Sequence, residues 1–183
     1  MNREQAYELL TQHLTTQNLI NHSLAVEAVM RRLARHFNED EELWGLAGLL
    51  HDIDYDNTKD DPAKHSLMGA EMLAEQGFSD ELVYAVKVHN EIHGLPRESL
   101  LDKALYATDP LTGLIVAGAL IRPEKKLEAV KVKSLLKRFN EKSFARGANR
   151  DQISSCSELG LSLEEFLNMG LEAMQGVAVE MGL

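Results

Sequence analysis

Residues 18–53, NLINHSLAVEAVMRRLARHFNEDEELWGLAGLLHDI, decide the fold. Leu19, His22, Val26, Val29 and Leu33 recur at helical spacing. This predicts a helix capped by Asn18 and running to about Phe37. Asp40 is the next capping residue and opens a helix from Glu41 to about Ile53. Upstream, residues 3–14 read as one more helix. Downstream, Asp61-Pro62 is a start signal, since proline suits the first helical position, and Gly77 a stop. Ser79 caps a segment from Asp80 to about Asn90, and Gly94-Leu95-Pro96 reads as a turn. A long apolar pattern then spans Glu98 to about Leu120. Pro110 interrupts it and is expected to kink it, because proline lacks an N–H and clashes with the preceding turn. Pro123 opens a further helical region, and Ser162 caps a last helix to about Met181. With no convincing alternating β-branched run, the expected fold is all-α. It is a single-domain helical bundle over 1–183, with a core at about 18–120 and a helical extension at about 121–183.

The bulk numbers fit that reading. The chain has 183 residues, 44% hydrophobic and 26% charged, a soluble globular balance. No stretch approaches the roughly 20 apolar residues of a membrane span. The N-terminus, MNREQAYELL, is too polar for a secretory signal. One cysteine, Cys156, excludes an internal disulfide. The expectation is a cytoplasmic protein without a membrane partner. The net charge of −10 argues against a general nucleic-acid binder. The charge is uneven, however. Residues 122–150 carry ten Lys/Arg and three Asp/Glu, inside an otherwise acidic chain.

The chemistry lies in the histidines. Of seven (His13, His22, His36, His51, His65, His89 and His93), four fall on apolar stripes of different predicted helices. His22 lies with Val26 and Val29, and His51 follows Trp44 and Ala47. His65 precedes Met68 and Met72, and His89 follows Leu82, Ala85 and Val86. Each inward polar group without a partner costs about 1–3 kcal/mol. A shared cation supplies that partner, and neutral imidazole suits transition metals. Asp52 follows His51 directly at a helix end, where the dipole favours a cation and both side chains can bend toward one ion. Asp109 sits inside the apolar pattern Ala104, Leu105, Ala107, Pro110 and Leu111, where a bare carboxylate is expensive.

The ordered set His22, His51-Asp52 and Asp109 resembles the HD-domain superfamily of metal-dependent phosphohydrolases over about residues 18–112. HDIDYD at 51–56 is similar to the HDIG variant, with Asp54 where glycine is usual. KHSLMGAEML at 64–73 and VKVHNEIHG at 86–94 resemble the segments that supply extra ligands in two-metal members. ALYATDPLTGLI at 104–115 resembles the segment with the final Asp. KSFARGANRD at 142–151 resembles the tails of small stand-alone members. The resemblance implies an HD-type bundle with His22, His51, Asp52 and Asp109 on one metal. It places His65 and His89 on a second, with Asp52 bridging. The expected cofactors are one or two divalent ions of Mn, Fe, Co, Zn or Ni. Cyclic-dinucleotide phosphodiesterases of the family have a second His and a GYP segment where this chain has Asn90 and Leu95-Pro96, which turns the reading away from them.

The implied activity is hydrolysis of a phosphomonoester or nucleotide-like small molecule by water activated on the metal. Asp52 is in the catalytic set, and Asp54 or Asp56 would orient water or protonate the leaving oxygen. Lys59 and Lys64 are near enough in sequence to touch an anionic substrate. The basic segment 122–150 follows the helix that carries Asp109 and can fold back toward the site; Arg146 and Arg150 are its expected phosphate contacts, since guanidinium binds phosphate in a bidentate way, with Lys142 next. Two alternatives share the same ligands: a mixed-valent di-iron oxygenase, and a non-catalytic ligand-binding domain that retains the metal.

Overall fold

The computed structural model describes residues 1–141 and 143–183, and among these the regular structure is entirely helical. The order is α1 (Arg3–His13), α2 (Gln17–Phe37), α3 (Glu41–Leu50), α4 (Tyr55–Thr58), α5 (Leu67–Glu75) and α6 (Asp80–Val88). It continues with α7 (Leu100–Leu120), α8 (Val132–Phe139), α9 (Arg150–Ser154), α10 (Leu163–Gly176) and α11 (Ala178–Met181). No described helix is long and apolar enough to cross a membrane.

Two central helices, α2 and α7, organise the rest. Helix α3 packs closely on α2 because Gly48 has no side chain: a Cβ there would lie 3.0 Å from the backbone of Glu27. Helix α10 crosses both α2 and α7 and inserts Phe166, Leu167 and Met174. One core joins Ala6 of α1 to Met181 of α11, with Trp44, Met30 and Leu33 among its fully buried side chains.

Local chemistry explains most helix starts. Asp40 accepts from the N–H groups of Glu42 and Leu43 at 2.9 and 3.0 Å. Ser99 and Asp102 form a reciprocal capping box, as do Ser162 and Glu165. Other boundaries move. Helix α2 begins at Gln17, one residue before Asn18, and the Asp56 carboxylate ties down the two residues ahead of it from across the fold. Asp56 accepts from the Thr15 N–H at 2.7 Å and from the Thr15 and Thr16 hydroxyls.

Helix α5 begins at Leu67, not at Pro62. Ser66 takes a left-handed backbone, φ 72°, so that its N–H reaches Asp54 at 2.8 Å. A tertiary bond therefore overrides the proline start signal. After Pro123 the chain makes only turns and a short 3₁₀ turn before α8. The last helical stretch breaks at Val177 into α10 and α11.

Pro110 does not end α7, which is helical on both sides of it. The missing N–H leaves the Tyr106 carbonyl without its helical donor. The side chain of Gln152 on α9 supplies one instead, Nε2 donating to Tyr106 O at 2.8 Å.

Candidate metal centre

Five segments bring six side chains together. His22 comes from α2, His51 and Asp52 from the end of α3, and His65 from the turn before α5. His89 comes from the end of α6 and Asp109 from the middle of α7. His51, Asp52 and His89 are buried, while His22, His65 and Asp109 are partly exposed.

The orientation of the rings is the informative feature. Each imidazole has Nδ1 against an outward partner. His51 Nδ1 donates to Gly48 O at 2.8 Å and His89 Nδ1 to Val86 O at 2.6 Å, in each case one turn back on the same helix. His65 Nδ1 donates to Asp54 Oδ1 at 2.9 Å. The Thr112 hydroxyl donates to Asp109 O at 3.0 Å, so its oxygen accepts from His22 Nδ1, also at 3.0 Å. With Nδ1 carrying the proton in all four rings, all four Nε2 lone pairs turn inward.

There they meet two carboxylates. Asp52 Oδ2 lies 3.6 Å from His22 Nε2 and 3.4 Å from His51 Nε2. Asp109 Oδ1 lies 3.1 and 3.9 Å from the same two atoms. The other oxygen of Asp52, Oδ1, lies 3.3 Å from His65 Nε2 and 3.5 Å from His89 Nε2.

These residues fit a metal. The Nε2 atoms of His22 and His51 stand 3.2 Å apart, close enough to share one proton or one metal ion, and among the described residues the buried His89 Nε2 has no hydrogen-bond partner. Acceptors pressed together this way need a shared cation. Ligands about 2.1 Å from one ion stand roughly 3.0–3.4 Å apart at octahedral or tetrahedral angles, close to most separations here. His22, His51 and Asp109 form one such group and His51, Asp52 and His89 another.

The electrostatics agree. Burial opposes charge on His51, but Asp52 and then Asp109 push its pKa up to about 9. Burial likewise opposes charge on His65, yet its bonds to Asp52 and Asp54 push it up to about 10. Burial also works against ionised Asp52 and Asp109, but the surrounding imidazoles hold both below the usual carboxylate range. The site demands positive charge, which protons supply in the absence of a metal.

The six predicted metal ligands thus converge. Asp54 and Asp56 lie outside this group of six and bond to other partners. Asp54 is fully buried behind His65, its Oδ2 accepting from the N–H groups of Ser66 and Gly69 at 2.8 and 2.9 Å. Asp56 holds Thr15 and Thr16 ahead of α2, as described above. In this structure Asp54 positions His65 and its turn, and Asp56 positions the residues ahead of α2.

The predicted anion contacts also disperse. Arg150 donates to the carbonyls of Phe139, Phe144, Ala145 and Ala148 at 2.5–3.1 Å, so its guanidinium staples a loop and is not free for phosphate. Lys64 is exposed and pairs with Asp61 at 2.9 Å. Lys59 and Arg146 are exposed, and Lys142 lies outside the described residues. None of the described four lines either cavity that touches the cluster.

Several supporting residues escaped sequence reasoning. Thr112 orients His22. Asn90 Nδ2 donates to the carbonyls of Pro62 and His65 at 3.1 and 3.2 Å, and His93 Nε2 donates to His65 O at 2.8 Å, fixing the turn that carries His65. Gln152 lines a cleft of about 180 Å³ together with His65, His89, Asn90, Glu91 and Asp109. The one sequence signal was Pro110, which announces an orphaned carbonyl at Tyr106 but not its partner.

Comparison with known proteins agrees with this geometry. The family model described as HD domain matches residues 19–133. Ribonuclease Y of Oleidesulfovibrio alaskensis is 32% identical over 98 residues, covering 54% of this chain and 18% of that protein. Ribonuclease Y of Lawsonia intracellularis is 33% identical over 98 residues, covering 54% and 19%. The chain thus spans about a fifth of the length of these relatives. The uncharacterized protein MJ0778 of Methanocaldococcus jannaschii is 32% identical over 153 residues, covering 78% of this chain and 86% of that one. No solved structure gives a significant match. With the family pattern running through most of its length and its His/Asp residues gathered around a common centre, the chain belongs to the HD domain family, a superfamily of metal-dependent hydrolases.

Proposed function

We propose that the protein is a metal-dependent phosphohydrolase acting on a small phosphomonoester. One observation carries the reading: the two oxygens of Asp52 face two different histidine pairs, His22/His51 and His65/His89. That is a frame for two adjacent cations. Divalent ions held there would polarise a phosphoryl oxygen and lower the pKa of water.

The chain's own residues do the rest. Asp52 sets the spacing of the two halves. Asp54 fixes the tautomer and rotation of His65, and Thr112 does the same for His22. His51 and His89 lie on the closed floor, with side chains 0% and 2% exposed. His22 and Asp109, at 22% and 30%, border the open side. A phosphoryl group entering the polar cleft would meet Asn90 and Gln152 beside the ligands.

Cleavage of RNA is a second reading, favoured by the names of the ribonuclease Y relatives. The net charge of −10 weighs against it, because a polyanion needs a basic track. The test uses metal-stripped protein reloaded anaerobically with Mn²⁺ or Co²⁺. It is assayed on a phosphomonoester panel and on a single-stranded RNA oligonucleotide. The expected result is metal-dependent phosphate release that His51→Ala abolishes. RNA cleavage without monoester turnover would favour the second reading. Substrate-dependent oxygen consumption by the iron form, with no hydrolysis by any form, would favour an oxygenase.

A further inference from the structure

Between α2 and α7, beside the metal residues, lies a cavity of about 390 Å³. Helix geometry explains its place. On α7, Asp109, Thr112, Gly113, Val116 and Leu120 occupy successive turns of one face; on α2, Asn18, Asn21, His22 and Ala25 do the same. The groove between these faces therefore reaches the metal residues at His22, whose Nε2 stands 3.1 Å from Asp109, and runs away from it. Its walls include Ala25, Val116, Leu120 and Met181, with neutral polar groups on Asn18 and Thr112. His22 is the one ionisable side chain in the lining.

Gly113 gives the groove a meaning. A Cβ built there meets nothing within 4 Å, whereas at Gly118 and Gly170 it would press on neighbouring side chains at 2.7 and 2.8 Å. Gly118 and Gly170 thus pack against the ends of leucine and isoleucine side chains, whereas Gly113 is exposed and faces open space. Glycine inside a helix is unfavourable relative to alanine. What its absence of a side chain secures at 113 is open space in the groove.

We propose that this groove is a substrate subsite for an uncharged, largely apolar organic group whose phosphate lies at His22 and Asp109, with Gly113 setting the size accepted. The inference rests on the hydrolase reading for the phosphate end, and on the groove alone for the organic end. The volume falls in the range of small-molecule sites, which are mostly apolar with a few polar groups. A nucleotide's additional phosphates would find no cationic side chain in this lining.

The test uses full-length, Mn²⁺-loaded protein and two probes. Binding of 1-naphthol is followed by methyl NMR, and hydrolysis of 1-naphthyl phosphate is compared with that of glycerol 2-phosphate. We expect 1-naphthol to shift the methyl resonances of Val116, Leu120 and Met181 in the wild type but not in Gly113→Leu. The KM for 1-naphthyl phosphate should rise about tenfold or more in Gly113→Leu and less in Gly113→Ala, the scale for a pocket altered by a few methylene groups. The ratio of KM for 1-naphthyl phosphate to that for glycerol 2-phosphate should therefore rise in Gly113→Leu, and a circular-dichroism melt shows that the variants fold. Absence of those NMR shifts, or an unchanged KM for the naphthyl ester, overturns the subsite even if both esters are hydrolysed. Shifts confined to the groove with no ester hydrolysed would refute the hydrolase reading and leave the groove as an apolar-ligand site.

Discussion

Replacing Asp54 with asparagine preserves side-chain shape and changes one donor–acceptor assignment. Asp54 Oδ2 accepts two backbone N–H groups, from Ser66 and Gly69, while Oδ1 accepts from His65 Nδ1. An asparagine can place its carbonyl oxygen on one side only. Turned toward His65, it would set its NH₂ group against two buried N–H donors, leaving each unsatisfied at about 1–3 kcal/mol. The carbonyl therefore faces Ser66 and Gly69, and the NH₂ group faces His65. That forces His65 Nδ1 to accept and moves the ring proton to Nε2, the atom 3.3 Å from Asp52 Oδ1. Losing the charge on the two backbone bonds costs roughly 1–2 kcal/mol of stability. The tautomer change should lower affinity for one of two metal equivalents by about 10–100-fold, as expected when a ligand's outer partner is altered. Calorimetric metal titration, with a circular-dichroism melt as the fold control, reads both effects. Two equivalents bound with unchanged affinity would refute the tautomer reasoning.

Gln152→Ala should cost about 1–2 kcal/mol by stranding the Tyr106 carbonyl. Pro110→Ala restores an N–H for that carbonyl, so in its background the Gln152 penalty should vanish in a urea-denaturation double-mutant cycle. Arg150→Ala should lower stability by about 1–3 kcal/mol while leaving metal affinity unchanged, because its four bonds are to carbonyls of its own loop. In metal-free protein, His51 and His65 have folded pKa values of about 9 and about 10, raised from 6.5. Their protonation stabilises the fold fully below pH 6.5, and that contribution is lost as pH rises through 9 to 10. The Tm of the metal-free form should therefore fall across this window in scanning calorimetry. Metal affinity should rise over the same window as binding ceases to displace protons.

Much of the protein was legible in one dimension because its determinants are local or periodic. Helical spacing in residues 18–53 and the caps Asp40, Ser79 and Ser162 act through neighbours within one turn, so α3, α6 and α10 begin where short-range chemistry puts them. The inward histidines and Asp109 were visible because polar groups on apolar stripes announce a shared partner. What the tertiary structure decided are the pairings between distant segments. Asp54 and Asp56 lie two positions apart in HDIDYD, equally plausible as reactive groups, yet one is buried behind His65 and the other holds the residues ahead of α2. Arg150 has the chemistry of a phosphate ligand and spends it on four carbonyls. Helix α5 starts late because Ser66 is drawn to Asp54, and Pro110 is tolerated because Gln152 arrives from 42 positions away. A side chain's chemistry can be read from its identity, but which partner claims its lone pairs or protons depends on what the fold brings within about 3 Å.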